Sequence, residues 1–484
     1  MNHSHSVVTR FAPSPTGWLH VGGVRTALYA WLWAKKNKGS FILRIEDTDK
    51  EREVAGSMEH IIESLTWLGV NFDQGPNVGG PYEPYIQSLR LPLYRKYADI
   101  LIEKGFAYAD PYTQEELDAF RTKADEEKRP FLFRDHRPSI MPPWDGTKPL
   151  RFKTPIKQYS WNDVVRGDLS AGVEAVDDFI LIKSDGYPTY NFAHIVDDIE
   201  MQVTHVMRGE EFISSTPKFL AIYEALELTP PIFVTMPPIL GPSGNKKLSK
   251  RDGAKDILEY RNEGYLPSAI VNFLALLGWN PGGDAEIFTI DEIIEKFDIT
   301  RIQKSGAQFD DKKLVWINRE HMKKLSYEEQ EEFIDSYIPA HIKQQSTCTN
   351  ELIHKLVPVI MERIEKFSDV TSMFENKELD FFFTKPKLDV NKISLKDIDK
   401  KETIHHLSSI LSSLNAVENW EIDSIKQKIM EYADTLPKRG PALHPLRFSL
   451  SGLDQSPDPF IISSIIGKEE TLSRIGKAID TLAK

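Results

Sequence analysis

Apolar positions change their period several times along the chain. Residues 7–11 (VVTRF) form a short extended run that predicts a strand. A segment rich in proline and glycine, APSPTGWLHVGG, follows as a loop. From Val24 the apolar residues fall at 24, 27, 28, 31 and 32, the spacing of one helix face. Lys35 to Lys38 occupy the last turn and Gly39 can end it. Residues 41–46 (FILRIE) then predict a second strand, largely apolar as buried parallel strands are. Strand, loop, helix and strand in succession make a βαβ unit, the builder of open α/β sheets.

Residues 56–69 and 91–105 carry helical patterns, and 110–160 change character, with many charges and prolines. The second stretch predicts an insertion with its own small fold. Residues 177–185 (DDFILIKSD) are expected to return the chain to the sheet. A helix over 216–227, a strand in PIFVTMPPIL and a glycine–lysine loop at 241–253 follow. Beyond residue 255 the pattern is almost entirely helical, as in 267–278, 291–297 and 351–366.

With 484 residues the chain exceeds one ordinary core, and its 40% hydrophobic and 27% charged residues are a normal globular composition. Cys348 is its single cysteine, so neither an intrachain disulfide nor a cysteine zinc site can form. The N-terminal residues lack the apolar stretch of a signal peptide. The most apolar stretch, Ala269 to Trp279, is short and interrupted by Asn272, which does not suit a membrane span. A cytoplasmic protein is expected. The net charge of −12 argues against a general nucleic-acid binder. Local clusters, Lys35, Lys36 and Lys38 and then Lys246, Lys247, Lys250 and Arg251, could still confine RNA to one face.

Two segments carry candidate chemistry. In PSPTGWLHVGG (Pro13 to Gly23), His20 opens a helix just after the first strand. That place is the carboxyl edge of a parallel sheet, where ligands of open α/β folds bind. The helix N-terminus offers N–H groups to an anion, and Gly22 and Gly23 admit a nucleotide close to the backbone. In KLSKR (Lys247 to Arg251), two lysines bracket a serine, and mobile cations suit a triphosphate. An ordinary βα turn and an exposed lysine loop would account for either segment alone. Neither is a Walker A nor a dinucleotide fingerprint.

Together, more than two hundred residues apart, they resemble the HIGH and KMSKS signatures of class I aminoacyl-tRNA synthetases. Gly23 replaces the second histidine of HIGH and Arg251 the last serine of KMSKS. The strings RFAPSPTGWLHVGG…FILRIEDTD, DGYPTYNFAHIVDD, VMRGEEFISSTP and HPLRFSLSG look like the glutamyl branch. The resemblance implies a Rossmann-like α/β parallel-sheet catalytic domain with an inserted α+β acceptor-binding domain, then all-α stem-contact and anticodon-binding domains. The boundaries expected are 1–105 and 177–255 for the two catalytic halves, 106–176 for the insertion, 256–325 and 326–484.

The resemblance implies His20, Lys247 and Lys250 as catalytic residues. His20, Gly22, Glu211, Leu240, Lys247 and Lys250 would bind ATP. Glutamate would meet Arg10, Ala12, Ser14, Glu46, Tyr190 and Arg208, with His194 a departure from the asparagine that relatives often carry. Selecting a γ-carboxylate against an amide calls for a buried cation. Arg363 aligns with an arginine that senses the anticodon, and would otherwise be a surface arginine. Glu46, Asp47 and Asp49 (EDTD) could be a metal cluster or a solvated turn, and Asp197 and Asp198 read as structural. ATP with Mg²⁺, L-glutamate and tRNA(Glu) are the implied partners of a monomer. No zinc is expected, since 106–176 holds no cysteine and one histidine. Two alternatives stay open: an enzyme that also charges tRNA(Gln), and a non-catalytic tRNA-binding paralogue.

Overall fold

The computed structural model describes residues 6–248 and 255–484. In chain order the first part runs β1 (Val8–Phe11), α1 (Val21–Lys36), β2 (Ser40–Leu43), α2 (Ser57–Trp67), α3 (Leu91–Glu103), β3 (Ala107–Ala109), α4 (Gln114–Glu126), β4 (Leu150–Phe152), β5 (Tyr159–Asp163) and β6 (Gly167–Ala171). It continues with β7 (Phe179–Ile182), α5 (Tyr190–Glu200), β8 (His205–Gly209), α6 (Thr216–Ala225), β9 (Ile232–Met236), β10 (Ile239–Leu240), α7 (Ile257–Asn262), α8 (Pro267–Leu276), α9 (Ile290–Lys296), β11 (Ala307–Gln308) and α10 (Asp311–Lys323).

The main sheet has the order β2-β1-β8-β9-β5-β6. Its first five strands are parallel and β6 closes the edge antiparallel. β1 and β2 run in register Arg10↔Ile42 and Phe11↔Leu43, so the backbone rises straight from strand to loop at Ala12. α1 covers these strands with a face that includes Val24, Leu28, Trp31 and Leu32, all buried. Thr9 Oγ1 donates to Ala30 O at 2.7 Å and fixes helix on strand. Arg25, buried in α1, donates to the carbonyls of Leu277 and Pro237, and Tyr29 donates to Ala275 O and Leu277 O. The helix that opens at His20 is therefore pinned at both its sheet and its helical side.

Residues 177–185 do not return to the parallel sheet. β7 instead pairs antiparallel with β4 in a separate sheet, β3-β4-β7. The continuous apolar run FILI is compatible with burial in either sheet, and periodicity cannot choose between them. What joins the parallel sheet is the hairpin β5–β6, from within the expected insertion. Asp163 docks it: the buried carboxylate accepts from Val165 N, Arg166 N and, on β9, from Thr235 N and Oγ1. The helical patterns of 24–36, 56–69, 91–105, 216–227, 267–278 and 291–297 correspond to α1, α2, α3, α6, α8 and α9 within a few residues.

Two compact units divide the chain, Met1–Asn318 and Arg319–Lys484. The second is helical, with Leu407, Ile410, Ile425, Ile429, Leu446 and Ile475 fully buried. Buried Arg474 joins its helices by donating to Phe381 O and Leu450 O while paired with Glu470. No helix among the described residues is long and apolar enough to cross a membrane.

Asp163→Ala should destabilise the first unit by about 3 kcal/mol, because several donors lose a buried ionised acceptor at once. Urea unfolding monitored by fluorescence checks this. A loss within error of zero would mean the hairpin is held by its apolar face alone.

Candidate active site

β1 hands the chain to β2 on one side and β8 hands it to β9 on the other. The adjacent pair β1 and β8 is thus a topological switch point, whose carboxyl ends leave a crevice. Two joined cavities occupy it. The smaller, about 240 Å³, is lined by Arg10, Ala12, Ser14, Glu46, Tyr190 and Arg208 together with Met207, Gly209 and Phe212. The larger, about 750 Å³, runs along Ser14, His20, Gly22, Gly23 and Arg25 to Glu211, Ile239 and Lys247. Phe11, Ser14, Thr26, Gly209 and Glu211 line both.

In the larger cleft His20 is the N-cap of α1, with extended backbone, and its Nδ1 accepts from Gly22 N at 3.0 Å. That bond places the proton of a neutral ring on Nε2. A Cβ at position 22 would stand 2.9 Å from His20 Cε1, so a glycine there keeps the imidazole in place. The first turn of α1 carries no acid, leaving its positive end uncancelled for an anion. Lys247 reaches in from the second signature segment, 3.3 Å from Glu211 Oε1. Lys250 and Arg251 lie outside the described residues. Leu240 follows the cleft-lining Ile239 in β10 and its backbone bridges to Lys247, while its side chain rests against Gly306.

The smaller cavity rests on a buried charge network. Asp198, on α5, accepts from Arg10 Nε at 3.1 Å and from Arg44 Nη1 at 2.7 Å. Arg44 Nη2 donates to Glu46 Oε1 at 2.8 Å, and Arg90 pairs with Asp197 at 2.7 Å. Burial alone would raise the Asp198 carboxyl, but Arg10 and Arg44 outweigh it and hold it well below the carboxylate range. Burial raises Glu46, with Arg44 opposing. Arg208 is 6% exposed, and neither Nη1 nor Nη2 makes a hydrogen bond of ordinary geometry. Its guanidinium lies over the rings of Phe219 and Phe233, at 4.5 and 5.2 Å, beside Tyr190. Desolvation accordingly lowers its affinity for the proton. A buried cation beside Tyr190 that pairs with no carboxylate among the described residues is a receptor for an anion.

Comparison with known proteins places this geometry. Residues 6–316 match the family described as tRNA synthetases class I (E and Q), catalytic domain, and residues 321–479 match an anticodon binding domain. A glutamate–tRNA ligase of Clostridium acetobutylicum is 41% identical over 493 residues, covering 99% of this chain and all of its own. One from Clostridium botulinum strain Okra is 42% identical over 491 residues, with 99% of each chain covered. The chain belongs to the glutamate–tRNA ligase family of class I aminoacyl-tRNA synthetases. A solved glutamate tRNA ligase from Elizabethkingia meningosepticum, in complex with its amino acid, superposes with a TM-score of 0.86 at 37% identity over 99% of this chain and 100% of that one. Membership in a class I synthetase family implies the use of ATP.

Within this family fold, His194 is the residue that departs from its expected place. It does not line the smaller cavity but lies behind it, stacked on Tyr190 at 4.6 Å, with Nδ1 2.6 Å from Tyr190 O. Burial pushes its pKa from 6.5 down to about 3, against the opposing pull of Asp198. A neutral ring whose Nδ1–H donates to Tyr190 supports that tyrosine and cannot serve as a cation. Arg363 closes the helix Asn350–Arg363 in the second unit, 3.9 Å from Glu378. In the EDTD segment Asp47 accepts from Ser88 and Lys50, and Asp49 pairs with Arg52, an ion-paired turn. Among the described residues no group of three or more His, Cys, Asp or Glu could hold a metal. Lys35 is paired with Asp73, and Lys36 donates to Glu295 O, which ties down two lysines of the first basic cluster.

Asp197 and Asp198, read from sequence as structural, are buried and ion-paired, but sequence reasoning did not reach the joining of Arg10 to Arg44 by Asp198. The signal was present, as two adjacent acids on a helix whose neighbours Phe192, Ala193, Ile195 and Val196 are apolar and buried. Thr26, Gly209 and Phe212 line the smaller cavity without any sequence signal of their own.

The His194 shift sets a pH dependence. Its folded pKa lies below its unfolded one, so only the unfolded chain takes up a proton as pH falls from 6.5 towards about 3, and stability drops in that window. From pH 7.5 to 5 this group should remove about 2 kcal/mol. Chemical denaturation at both pH values should show that much less acid sensitivity in His194→Asn. Equal slopes in the two proteins would contradict the assignment.

Proposed function

We propose that the protein activates L-glutamate with ATP and transfers it to the 3′ end of tRNA(Glu). The observation that carries the reading is the pair Arg10 and Arg208 in a glutamate-sized cavity opening into a nucleotide-sized cleft. The charge count favours the diacid. Four guanidiniums (Arg10, Arg44, Arg90, Arg208) face three carboxylates (Glu46, Asp197, Asp198), leaving one positive charge. Glutamate, with one net negative charge, neutralises it, whereas glutamine leaves it buried. On this reading Arg10 and Tyr190 face the γ-carboxylate and Arg208 the α-carboxylate, with Glu46 and Ser14 towards the ammonium. Ala12 forms part of the wall.

The α-carboxylate attacks the α-phosphorus of ATP, which enters with Mg²⁺ as substrate, and pyrophosphate leaves. The terminal ribose hydroxyl of tRNA then attacks the carbonyl of the adenylate, and AMP departs. Neither step needs a protein nucleophile. Positioning and electrostatics do the work, through His20 Nε2–H, the α1 N-terminus, Lys247 and Lys250. Gly22 admits the nucleotide and Glu211 faces the adenosine. Leu240, next to Ile239 and bridged to Lys247, is a further adenosine contact on this reading, whereas His194 is not retained as a γ-carboxylate ligand. Residues 106–176 would hold the acceptor end, 256–325 the stem and 326–484 the anticodon, with Arg363 as an anticodon contact. A cytoplasmic monomer goes with this reading. Charging assays with the two purified tRNAs decide whether tRNA(Gln) is also a substrate.

Total tRNA incubated with labelled amino acid should accept glutamate at least roughly a hundredfold faster than glutamine, since the site leaves a buried charge unmatched by the amide. Preference for glutamine would overturn the reading. With tRNA present, Arg10→Ala and Arg208→Ala should each lower glutamate-dependent ATP–pyrophosphate exchange by more than about tenfold, the worth of one charge-assisted hydrogen bond. Exchange left intact in both variants would move the amino acid out of this cavity.

A further inference from the structure

We propose that His60 and Asp256 form a positioning pair that fixes His20 at the nucleotide cleft, an inference resting on the reading of that cleft as the ATP site. His60 lies on α2 and is 9% exposed, behind the cleft wall and not part of its lining. Leu19 N–H donates to its Nδ1 at 3.3 Å, so the proton of the neutral ring sits on Nε2. Nε2 in turn donates to Asp256 Oδ1 at 2.7 Å. The same oxygen accepts from Leu258 N at 2.9 Å and caps α7. Ile257 N donates to Leu19 O at 3.0 Å, and His20 and Asp256 oppose each other in an antiparallel bridge.

Both backbone polar groups of Leu19, the residue before His20, are therefore held by this cluster. The grip extends one step further back. Ser57 Oγ, also on α2, donates to Gly17 O at 2.7 Å, and the Trp18 ring lies on the imidazole with centroids 4.8 Å apart. Three elements distant in sequence meet here: the loop leading into α1, α2, and the start of α7, nine residues past Lys247. Neither nitrogen of His60 faces the cleft, so its part is to place the backbone under His20 and not to touch the nucleotide. A histidine does this well because one neutral ring accepts on one side and donates on the other.

The test measures glutamate-dependent ATP–pyrophosphate exchange with tRNA present, since the resemblance implies that activation needs bound tRNA, and ATP affinity by calorimetry, expressed per folded protein from circular dichroism at the assay temperature. Asp256→Ser keeps an oxygen able to cap α7 but too short to reach His60. Both His60→Ala and Asp256→Ser should lower kcat/KM for ATP about tenfold and weaken ATP binding about fivefold, with KM for glutamate unchanged. The double variant should be no worse than the weaker single one, as for two groups acting as a unit. His60→Gln and Asp256→Asn, which retain an acceptor and donor in each place, should stay within about threefold of the parent. Full kcat/KM in folded His60→Ala would overturn the pairing. So would additive losses, or a KM for glutamate that rises in step with the loss. A parent that binds ATP but gives no exchange with glutamate even with tRNA present refutes the reading of the site instead, and the pair is then judged on ATP affinity alone.

Discussion

One buried carboxylate organises the smaller of the two cavities. Asp198 takes Arg10 from β1 and Arg44 from the end of β2, and both guanidiniums are nearly or wholly removed from water. Desolvating three such charges costs several kcal/mol each, and only close pairing offsets it. The arrangement therefore has little freedom: α5, which carries Asp198, must lie against the carboxyl ends of the first two strands. Its apolar residues Phe192, Ala193, Ile195 and Val196 pack it into a core with α3, β7 and α6, and the ion pairs from Asp198 tie it to the first two strands. Arg208, arriving on the neighbouring strand, finds no carboxylate left for it.

The two cavities consequently work on different physical principles. Around the smaller one, charges are buried and locked, so under the proposed function recognition there comes from a preformed imbalance and not from movement. Around the larger one the ligand-facing charges are exposed or provided by backbone: Lys247, and the open N-terminus of α1 with His20 at its cap. A triphosphate brings its own cation and its charge shifts during reaction, which suits donors that can follow it. A small diacid needs no such latitude. The shared wall of Phe11, Ser14, Thr26, Gly209 and Glu211 is where an amino-acid carboxylate and an α-phosphate would meet.

Much of the site could be read from sequence because of where its residues stand. Arg10, Glu46 and Arg208 all lie at or just past the carboxyl end of a short apolar strand, and an open α/β sheet gathers such ends together. His20 was legible as the first residue of an apolar helix after a glycine-bearing loop. Asp198 was legible only as structural; its pairing with Arg10 and Arg44 was not, since the partner a buried acid meets is decided by tertiary packing. The sheet assignment of residues 177–185 went astray for a related reason. A four-residue apolar run reports burial but not its partner, whereas the hairpin that did join the sheet was hidden among charges and prolines.

His194 shows how tightly the charge balance is drawn. A protonated imidazole behind Tyr190 would add a fifth cation to a cluster already in excess by one, and would share that space with Arg208 and Arg10. The fold prevents this by burying the ring, stacking it on Tyr190 and engaging Nδ1 with Tyr190 O. Kept neutral, it contributes shape and stiffness to the tyrosine while leaving the excess at a single charge. Under the proposed function that single charge is what separates a carboxylate from an amide. The substitution of histidine for the asparagine expected at this position is then compatible with unchanged specificity, because both are neutral donors in a buried place. Its cost falls on acid stability, a property that a neutral asparagine would not affect.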